Sequence, residues 1–343
     1  MSNDVDLLAH TVIMPILLAI GFFNQCLNLC TLFNLPSGTF PYLKASAIAD
    51  LLSIISLIPF ILRHADLTDT SSEWTMFYHA HFELYFVNSL ISASALCIVA
   101  MTADRFFSVC YPLLRFRSSE SRSRPLRVIG LLFSAAFIVY FPSVWQKEIE
   151  LEKSKSPRKT WNITGNDSLE KSLSFNIYLI FREIFCRWGP VIILVILNGA
   201  IVRSLQQRKN CSLRRTLRPR PHDRHRTCSL LLVTSTTFVL ANLPASILSL
   251  VFSFLFHHNH PDSASWHLFR AIANLLQVTS YLYNFYLYAL CSSEYRAAFL
   301  RLLSCTTKQE SSNRANSDSA SPTHRRDAHK DIHKESLPFA AAV

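Results

Sequence analysis

The stretch Met101-Thr-Ala-Asp-Arg-Phe-Phe-Ser-Val-Cys-Tyr-Pro-Leu113 decides how this chain folds, because its charged pair, Asp104 and Arg105, directly follows a long apolar run. From Phe82 to Met101 that run carries a single acid, Glu83, near its far end. A helix rises about 1.5 Å per residue, so one of this length crosses the roughly 30 Å hydrocarbon layer of a membrane. The pair would then lie at the membrane edge. On these residues alone, an ordinary charged helix end that reaches water is an equal alternative.

Composition extends this interpretation to the whole chain. Half of the 343 residues are hydrophobic and 17% are charged, a balance that soluble domains rarely show. We therefore predict an all-α membrane protein built as a bundle of seven transmembrane helices. The expected spans are His10–Phe33, Tyr42–Leu62, Met76–Cys110, Leu126–Trp145, Phe175–Val202, Thr227–Phe256 and Trp266–Cys291.

The net charge of +11 could indicate a nucleic-acid partner, but its location argues against one. Basic residues crowd two loops, one at residues 115–127 and the other at residues 203–226. Loops rich in Lys and Arg stay on the cytoplasmic side of a membrane. We therefore expect a plasma-membrane protein whose N-terminus is outside and whose C-terminus is inside.

Characteristic residues recur on successive predicted spans. They are Asn24, Asp50, Asp104-Arg105, Pro190, Pro244, Asn284 and Tyr288. This ordered set, with Tyr111-Pro112-Leu113 after the charged pair, resembles the rhodopsin-like (class A) G-protein-coupled receptors. Phe285 stands where most of that family has a proline, a variant associated with invertebrate neuropeptide receptors similar to FMRFamide receptors and with nematode-type chemoreceptors.

The resemblance implies a receptor that transmits an extracellular ligand, most simply a neuropeptide, to a heterotrimeric G protein. It assigns the activation switch to Asp104, Arg105, Pro190, Phe238, Pro244, Asn284 and Tyr288. A chemosensory receptor for environmental small molecules has the same helical signature and stays an alternative. A seven-span enzyme or transporter is disfavoured, because almost every His lies in a loop, in a tail or at the end of a span, and Asp50 stands alone within its span. We expect no catalytic activity.

Asp50 lies near the middle of the second span, where a carboxylate is costly and needs partners. A protonated, hydrogen-bonded structural aspartate is one interpretation. In the family an Asp at this place binds sodium, and Ser94, Ser280 and Asn284 occupy the matching positions. Their oxygen atoms suit a hard cation. We expect no cofactor other than an allosteric Na⁺ ion.

The ligand pocket is less clearly marked. Val87 stands where receptors for amines place an aspartate, which argues against an amine ligand. We expect the pocket lining to include Glu83, Val87, Asn88, Asn242, Ser246, Ser249 and Gln277. Glu83 and Arg270 could hold the charged ends of a peptide.

Outside the spans, the sequence offers several weaker signals. The sequons at Asn162 and Asn166 predict N-glycans on an external loop. Ala80 replaces a family cysteine, so the external loop is expected to lack the usual disulfide. A group of external histidines could bind zinc or could simply be solvated loop residues. That group comprises His79, His81, His257, His258 and His260.

The chain is expected to have three parts. We expect an extracellular N-terminus at residues 1–9, the receptor domain at residues 10–304 and a disordered cytoplasmic tail at residues 305–343. The receptor domain should end in an amphipathic helix on the membrane surface. Cys305 is a candidate palmitoylation site. The serine-rich tail is expected to bind arrestin once phosphorylated, although a purely solubilising tail is equally consistent with its composition.

Overall fold

The computed structural model describes residues 9–35, 41–65, 67–111, 124–151, 160–213, 223–255 and 264–304. Seven long helices, α1 to α7, follow one another in chain order, some of them in consecutive segments. Their bounds are α1, Ala9–Ile13 and Met14–Phe33; α2, Pro41–Ser56 and Ile58–His64; α3, Glu73–Phe77, Tyr78–Phe82 and Glu83–Cys110; α4, Arg124–Tyr140 and Phe141–Trp145; α5, Leu173–Glu183, Ile184–Trp188 and Gly189–Leu213; α6, Asp223–Leu255; and α7, Ala264–Cys291.

These helices match the predicted spans, and most of them extend beyond the predicted bounds. α3 begins at Glu73 rather than Met76, and α5 continues to Leu213 rather than ending at Val202. Five of the helices, α1 to α5, are long and apolar enough to cross a membrane, and α6 has a shorter apolar stretch at Leu232–Leu248. The predicted seven-helix, all-α membrane fold is confirmed.

Polarity in this bundle is distributed as in a membrane protein. Polar side chains such as Gln25, Ser53 and Ser89 are completely buried, whereas Ile192 and Ile196 on α5 are more than half exposed. Lipid tails solvate such apolar surfaces, while buried polar groups find partners between helices. The exposed apolar side chains of α5 therefore face lipid.

α3 occupies the centre of the bundle, since it contacts α2, α4, α5 and α6. α7 packs against both α6 and α1 and so closes the ring of helices. One core cluster joins α1, α2, α3 and α7 around Leu32, Met101 and Tyr288. A second cluster, which includes Val87 and Tyr281, joins the same four helices.

The loop between α4 and α5 contains structure that the sequence did not predict. Two antiparallel strands form a hairpin, β1 at Lys147–Leu151 and β2 at Trp161–Gly165, with Ile149 opposite Ile163. The amide of Trp161 donates to the carbonyl of Thr70, at 3.0 Å, and so ties the hairpin to the segment before α3. Short strands with mixed polarity are easily missed beside strong helical periodicity.

A further helix, α8, covers residues 293–304 and follows α7 after a break at Ser292. Tyr295 and Ala298 are buried. The ring of Phe299 packs edge-on against Phe285, with centroids 5.3 Å apart. The predicted helix after Tyr288 is therefore present. Residues 305–343, which include Cys305 and the serine-rich tail, lie outside the described residues.

Candidate functional site

Asp50 receives three hydrogen bonds from three different helices. The Ser94 hydroxyl donates to Oδ1 at 2.6 Å, and the amide groups of Gln25 and Asn284 donate to Oδ2 at 3.1 Å and 3.0 Å. Ser46 supports Ser94, their hydroxyl oxygens lying 2.8 Å apart. Both oxygens of Asp50 therefore act as hydrogen-bond acceptors.

The structure brings together three of the four residues predicted to form the sodium site. Ser280 is buried on the same helix as Asn284, but among the described residues it makes no hydrogen bond to Asp50. Gln25 on α1 is the third hydrogen-bond partner of Asp50, and the sequence analysis did not assign it to the site. The available signal was a second polar residue beside Asn24 in an otherwise apolar span.

A chain of polar side chains leads from Asp50 to α8. Asn28 donates to the amide oxygen of Gln25 at 3.2 Å, and the hydroxyl of Tyr295 donates to Asn28 Oδ1 at 3.0 Å. Gln25 and Asn28 are fully buried. One hydrogen-bonded path therefore joins the Asp50 carboxylate to α8 through α1.

A different polar group lies on α5, where the helix changes its winding. Residues Ile184–Trp188 form a π-helical turn that ends at Gly189, and Pro190 follows. A Cβ atom on Gly189 would lie 2.9 Å from the carbonyl oxygen of Ile184, so a larger residue would disturb this turn. Such turns contain one extra residue and rotate the side chains around them, often at functional sites.

The π-helical turn directs Arg187 into the bundle. Its Nε lies 3.4 Å from Glu183 Oε2, and Glu183 Oε1 lies 3.0 Å from Arg182. The guanidinium of Arg187 also donates to Asn88 Oδ1 on α3 and to the Ala245 carbonyl on α6, each at 3.3 Å. Arg187 therefore links three helices, and the sequence analysis had not singled it out.

A cavity lies beside Arg187 and is lined by residues of α3, α4, α5, α6 and α7. Its volume is about 30 Å³, more than the roughly 10–15 Å³ that one water molecule needs by the same measure. Its lining includes Asn88, Ser92, Tyr140, Cys186, Arg187, Pro190, Phe238, Asn242, Ala245, Ser246 and Gln277. Four of the predicted pocket residues lie here, namely Asn88, Asn242, Ser246 and Gln277.

The remaining predicted pocket residues lie elsewhere. Val87 belongs to the apolar cluster with Met14 and Tyr281. Glu83 is completely buried, and its carboxylate pairs with Arg63 at 2.8 Å and with the ring of His79. The side chain of Ser249 lies outside the described residues. Glu83 is therefore already occupied by partners within the protein.

The Glu83 group lies next to the hairpin. Burial lowers the pKa of Lys147 on β1, the nearby Arg63 lowers it further, and Glu83 opposes this effect. The Nδ1 atom of His81 lies 2.6 Å from the Val144 carbonyl at the end of α4. These contacts hold the hairpin end of the bundle without a disulfide among the described cysteines.

The comparison with known proteins identifies the family. Residues 39–288 match the family described as 7 transmembrane receptor (rhodopsin family). The chain belongs to this receptor family. A probable G-protein coupled receptor of Caenorhabditis elegans is 50% identical over 346 residues, which cover 95% of this chain and 82% of that protein. This receptor is therefore a membrane protein of a signalling family, and no catalytic activity is indicated for it.

More distant relatives are also receptors. A second probable G-protein coupled receptor of Caenorhabditis elegans is 26% identical over 314 residues, 89% of this chain and 71% of that protein. The growth hormone secretagogue receptor type 1 of Mustela putorius furo is 27% identical over 214 residues, 62% of this chain and 57% of that protein.

The proposed activation residues of the receptor are spread along the bundle. Asp104 and Arg105 are half-buried near the end of α3. Tyr288 is buried on α7, with its ring 5.7 Å from that of Tyr295. Pro244 interrupts the hydrogen bonding of α6 from within. Phe238, Asn284 and Pro190 take the positions given above.

The predicted glycan acceptors and the external histidines differ in how exposed they are and in their partners. Asn162 is exposed on β2, whereas Asn166 caps a short helix at Asp167–Glu170 and donates to Glu148. His79 and His81 have the partners described above, and residues 256–263, with His257, His258 and His260, lie outside the described ranges. Within those ranges, no three His, Cys, Asp or Glu side chains are grouped to hold a metal ion.

Proposed function

We propose that this receptor lies in the plasma membrane with its N-terminus outside and transmits the binding of an extracellular peptide to a heterotrimeric G protein. The cavity next to Pro244 on α6 carries the proposal. Asn242, Ala245 and Ser246 line it on both sides of Pro244. A ligand bound there would act directly on the helix that is weakest at that proline.

The expected response is a shift between two arrangements of α6. A ligand that binds the open arrangement better than the closed one shifts the population toward the open arrangement. The end of the bundle that carries Arg105 then becomes accessible, and Arg105 enters the G-protein interface. After phosphorylation, the tail would bind arrestin.

Asp50 and its polar neighbours Gln25, Ser46, Ser94 and Asn284 form a group, called the Asp50 group below, that stabilises the resting state of the receptor. The carboxylate of Asp50 and the hydroxyl of Ser94 lie together, with the Asn284 amide group in contact with the carboxylate, and oxygen-bearing side chains of this kind suit a hard cation. Sodium bound there would add positive charge between α2, α3 and α7 and would stabilise their resting contacts. Gln25 and Ser46 orient the carboxylate and the hydroxyl from outside this set.

A peptide is favoured over an amine because the residue in the amine-binding position is Val87, which lies in an apolar cluster. Phe285, the variant shared with invertebrate neuropeptide receptors, packs on α8 in this chain. Asn162 is the more accessible of the two glycan acceptors. Cys305 is proposed as a lipid attachment site.

The test is guanine-nucleotide exchange in cells that express the receptor with a panel of G proteins, challenged with a library of invertebrate neuropeptides. At least one peptide should stimulate exchange, and Arg105→Ala should abolish that response at equal surface expression. Arg127→Ala, at an exposed arginine on α4, is the matched control and should respond normally. Activation by volatile or food-derived small molecules instead of peptides would favour the chemosensory alternative. A normal response in Arg105→Ala would refute the coupling mechanism.

A further inference from the structure

The described charges around Glu183 do not balance. One carboxylate faces two guanidinium groups, Arg182 at 3.0 Å and Arg187 at 3.4 Å. All three side chains are at least three-quarters buried. Among the described side chains, the group therefore carries one excess positive charge. A buried charge without full compensation is costly and favours binding of an opposite charge.

The excess charge faces the cavity through Arg187. Arg182 turns the other way, because it donates to the Ser143 hydroxyl at 3.0 Å and lies over the rings of Tyr140 and Tyr178. Arg187 is a lining residue of the cavity, and no carboxylate is among the described residues that line it. The other polar lining groups are amides, hydroxyls and a thiol, contributed by Asn88, Ser92, Tyr140, Cys186, Asn242, Ser246 and Gln277.

The present partners of Arg187 are held at long distances. Its terminal nitrogens reach Asn88 and the Ala245 carbonyl at 3.3 Å each. Charge-assisted bonds from arginine to a carboxylate are shorter, about 2.7–2.9 Å, and can use both terminal nitrogens at once. A carboxylate in the cavity can therefore replace both contacts and release the Ala245 carbonyl next to Pro244.

We infer that Arg187 is an anion subsite of the ligand pocket and that it binds a carboxylate group of the ligand. This inference rests on the proposed receptor function, and it adds the ligand's chemical class. The free volume of about 30 Å³ admits a terminal group rather than a whole ligand. Occupation of the subsite removes a tether between α5 and α6 and so favours movement of α6.

The experiment measures thermal unfolding of the purified full-length receptor in lipid nanodiscs. The probes are acetate, butanoate and benzoate, each compared with its primary amide at constant sodium concentration and ionic strength. The acids should raise the unfolding temperature by roughly 2–4 °C and the amides by less than half of that. Arg187→Gln should remove the difference between acid and amide. Arg187→Lys, which keeps the charge but not the planar fork, should reduce it and serves if the glutamine variant does not fold.

Arg203→Gln is the matched control, because Arg203 is an exposed arginine on the same helix, α5. The acid effect should persist in that variant. Equal effects of acids and amides, an acid effect that survives Arg187→Gln, or its loss in Arg203→Gln as well as in Arg187→Gln would each overturn the subsite. Tripeptides with free or amidated C-termini then separate a peptide terminus from a small free acid. The assay involves no G protein, so failure of nucleotide exchange and failure of the subsite are distinguishable.

Discussion

Two buried polar groups in this receptor differ in their central side chains, a carboxyl group in one and guanidinium groups in the other, and in the lengths of their contacts. Around Asp50, neutral side chains donate to one carboxylate at 2.6, 3.0 and 3.1 Å. Around Arg187, two guanidiniums share one carboxylate, and the outer contacts reach 3.3 Å. The first group suits a cation and holds helices firmly, whereas the second suits an anion and has contacts that a ligand can replace. Excess charge and bond length together therefore separate a structural polar group from one that is ready to exchange partners.

The largest expected effect comes from removing the carboxylate of the Arg187 group. Glu183→Gln leaves two buried guanidiniums without their shared carboxylate, so it should lower the free energy of unfolding by roughly 3–5 kcal/mol. Thermal unfolding in nanodiscs measures this. The control is Glu150→Gln, at an exposed position on β1. If the two variants unfold at the same temperature, Glu183 does not compensate the arginines.

A smaller effect is expected from the glycine that shapes the same region. Gly189→Ala places a methyl group 2.9 Å from the Ile184 carbonyl. The π-helical turn must then shift, and we expect a loss of roughly 1–3 kcal/mol in unfolding free energy. Gly199→Ala, also on α5, has nothing within 4 Å of its added methyl group. It should be neutral or stabilising by up to about 1 kcal/mol, because alanine favours helix. Similar losses in both variants would mean that the turn does not depend on Gly189.

The Asp50 group should respond to a cation instead of an anion. At a sodium concentration about tenfold above its dissociation constant, binding should stabilise the resting receptor by about 1.4 kcal/mol, measured as a higher unfolding temperature in sodium than in choline. Asp50→Asn should abolish this difference. Asp167→Asn, at a position whose side chain is 84% exposed, should retain it. Equal sodium responses in wild type and Asp50→Asn would exclude the cation site.

The sequence predicted the helices, and it predicted that Asp50 has polar partners, because both predictions depend on strong signals. Long apolar runs have little alternative to crossing a membrane, and an acid such as Asp50 inside one of them requires partners. The resemblance to the receptor family then assigned Ser94, Ser280 and Asn284 to the surroundings of Asp50. The hydrogen bonds place Ser94 and Asn284 at the carboxylate.

The Arg187 group could not be predicted in the same way. Regular α-helical geometry assigns faces at 3.6 residues per turn, and the π-helical turn at Ile184–Trp188 changes that assignment within α5. Glu83 was expected in the ligand pocket, but it pairs with His79, four residues earlier on α3, and with Arg63 on α2. The spacing from His79 is visible in the sequence, whereas the pairing with Arg63 depends on the distance between α2 and α3. Such distances between helices are not encoded in a local pattern.

The smallest effect concerns the polar chain from Asp50 to α8, and it tests whether the Asp50 group acts as one unit. Tyr295→Phe removes only the hydroxyl that donates to Asn28 at 3.0 Å, so it should cost about 1 kcal/mol of unfolding free energy. Tyr286→Phe on α7, where the side chain is exposed, should cost much less. Hydrogen bonds in a buried chain polarise one another, so the loss at Tyr295 should also weaken the bond from Gln25 to Asp50. A double-mutant cycle of Tyr295→Phe with Asp50→Asn should then give a coupling of about 0.5 kcal/mol or more, although two side chains separate them. Additive effects would mean that α8 is held by local packing against Phe285 and Tyr288 and that the Asp50 group ends at Gln25.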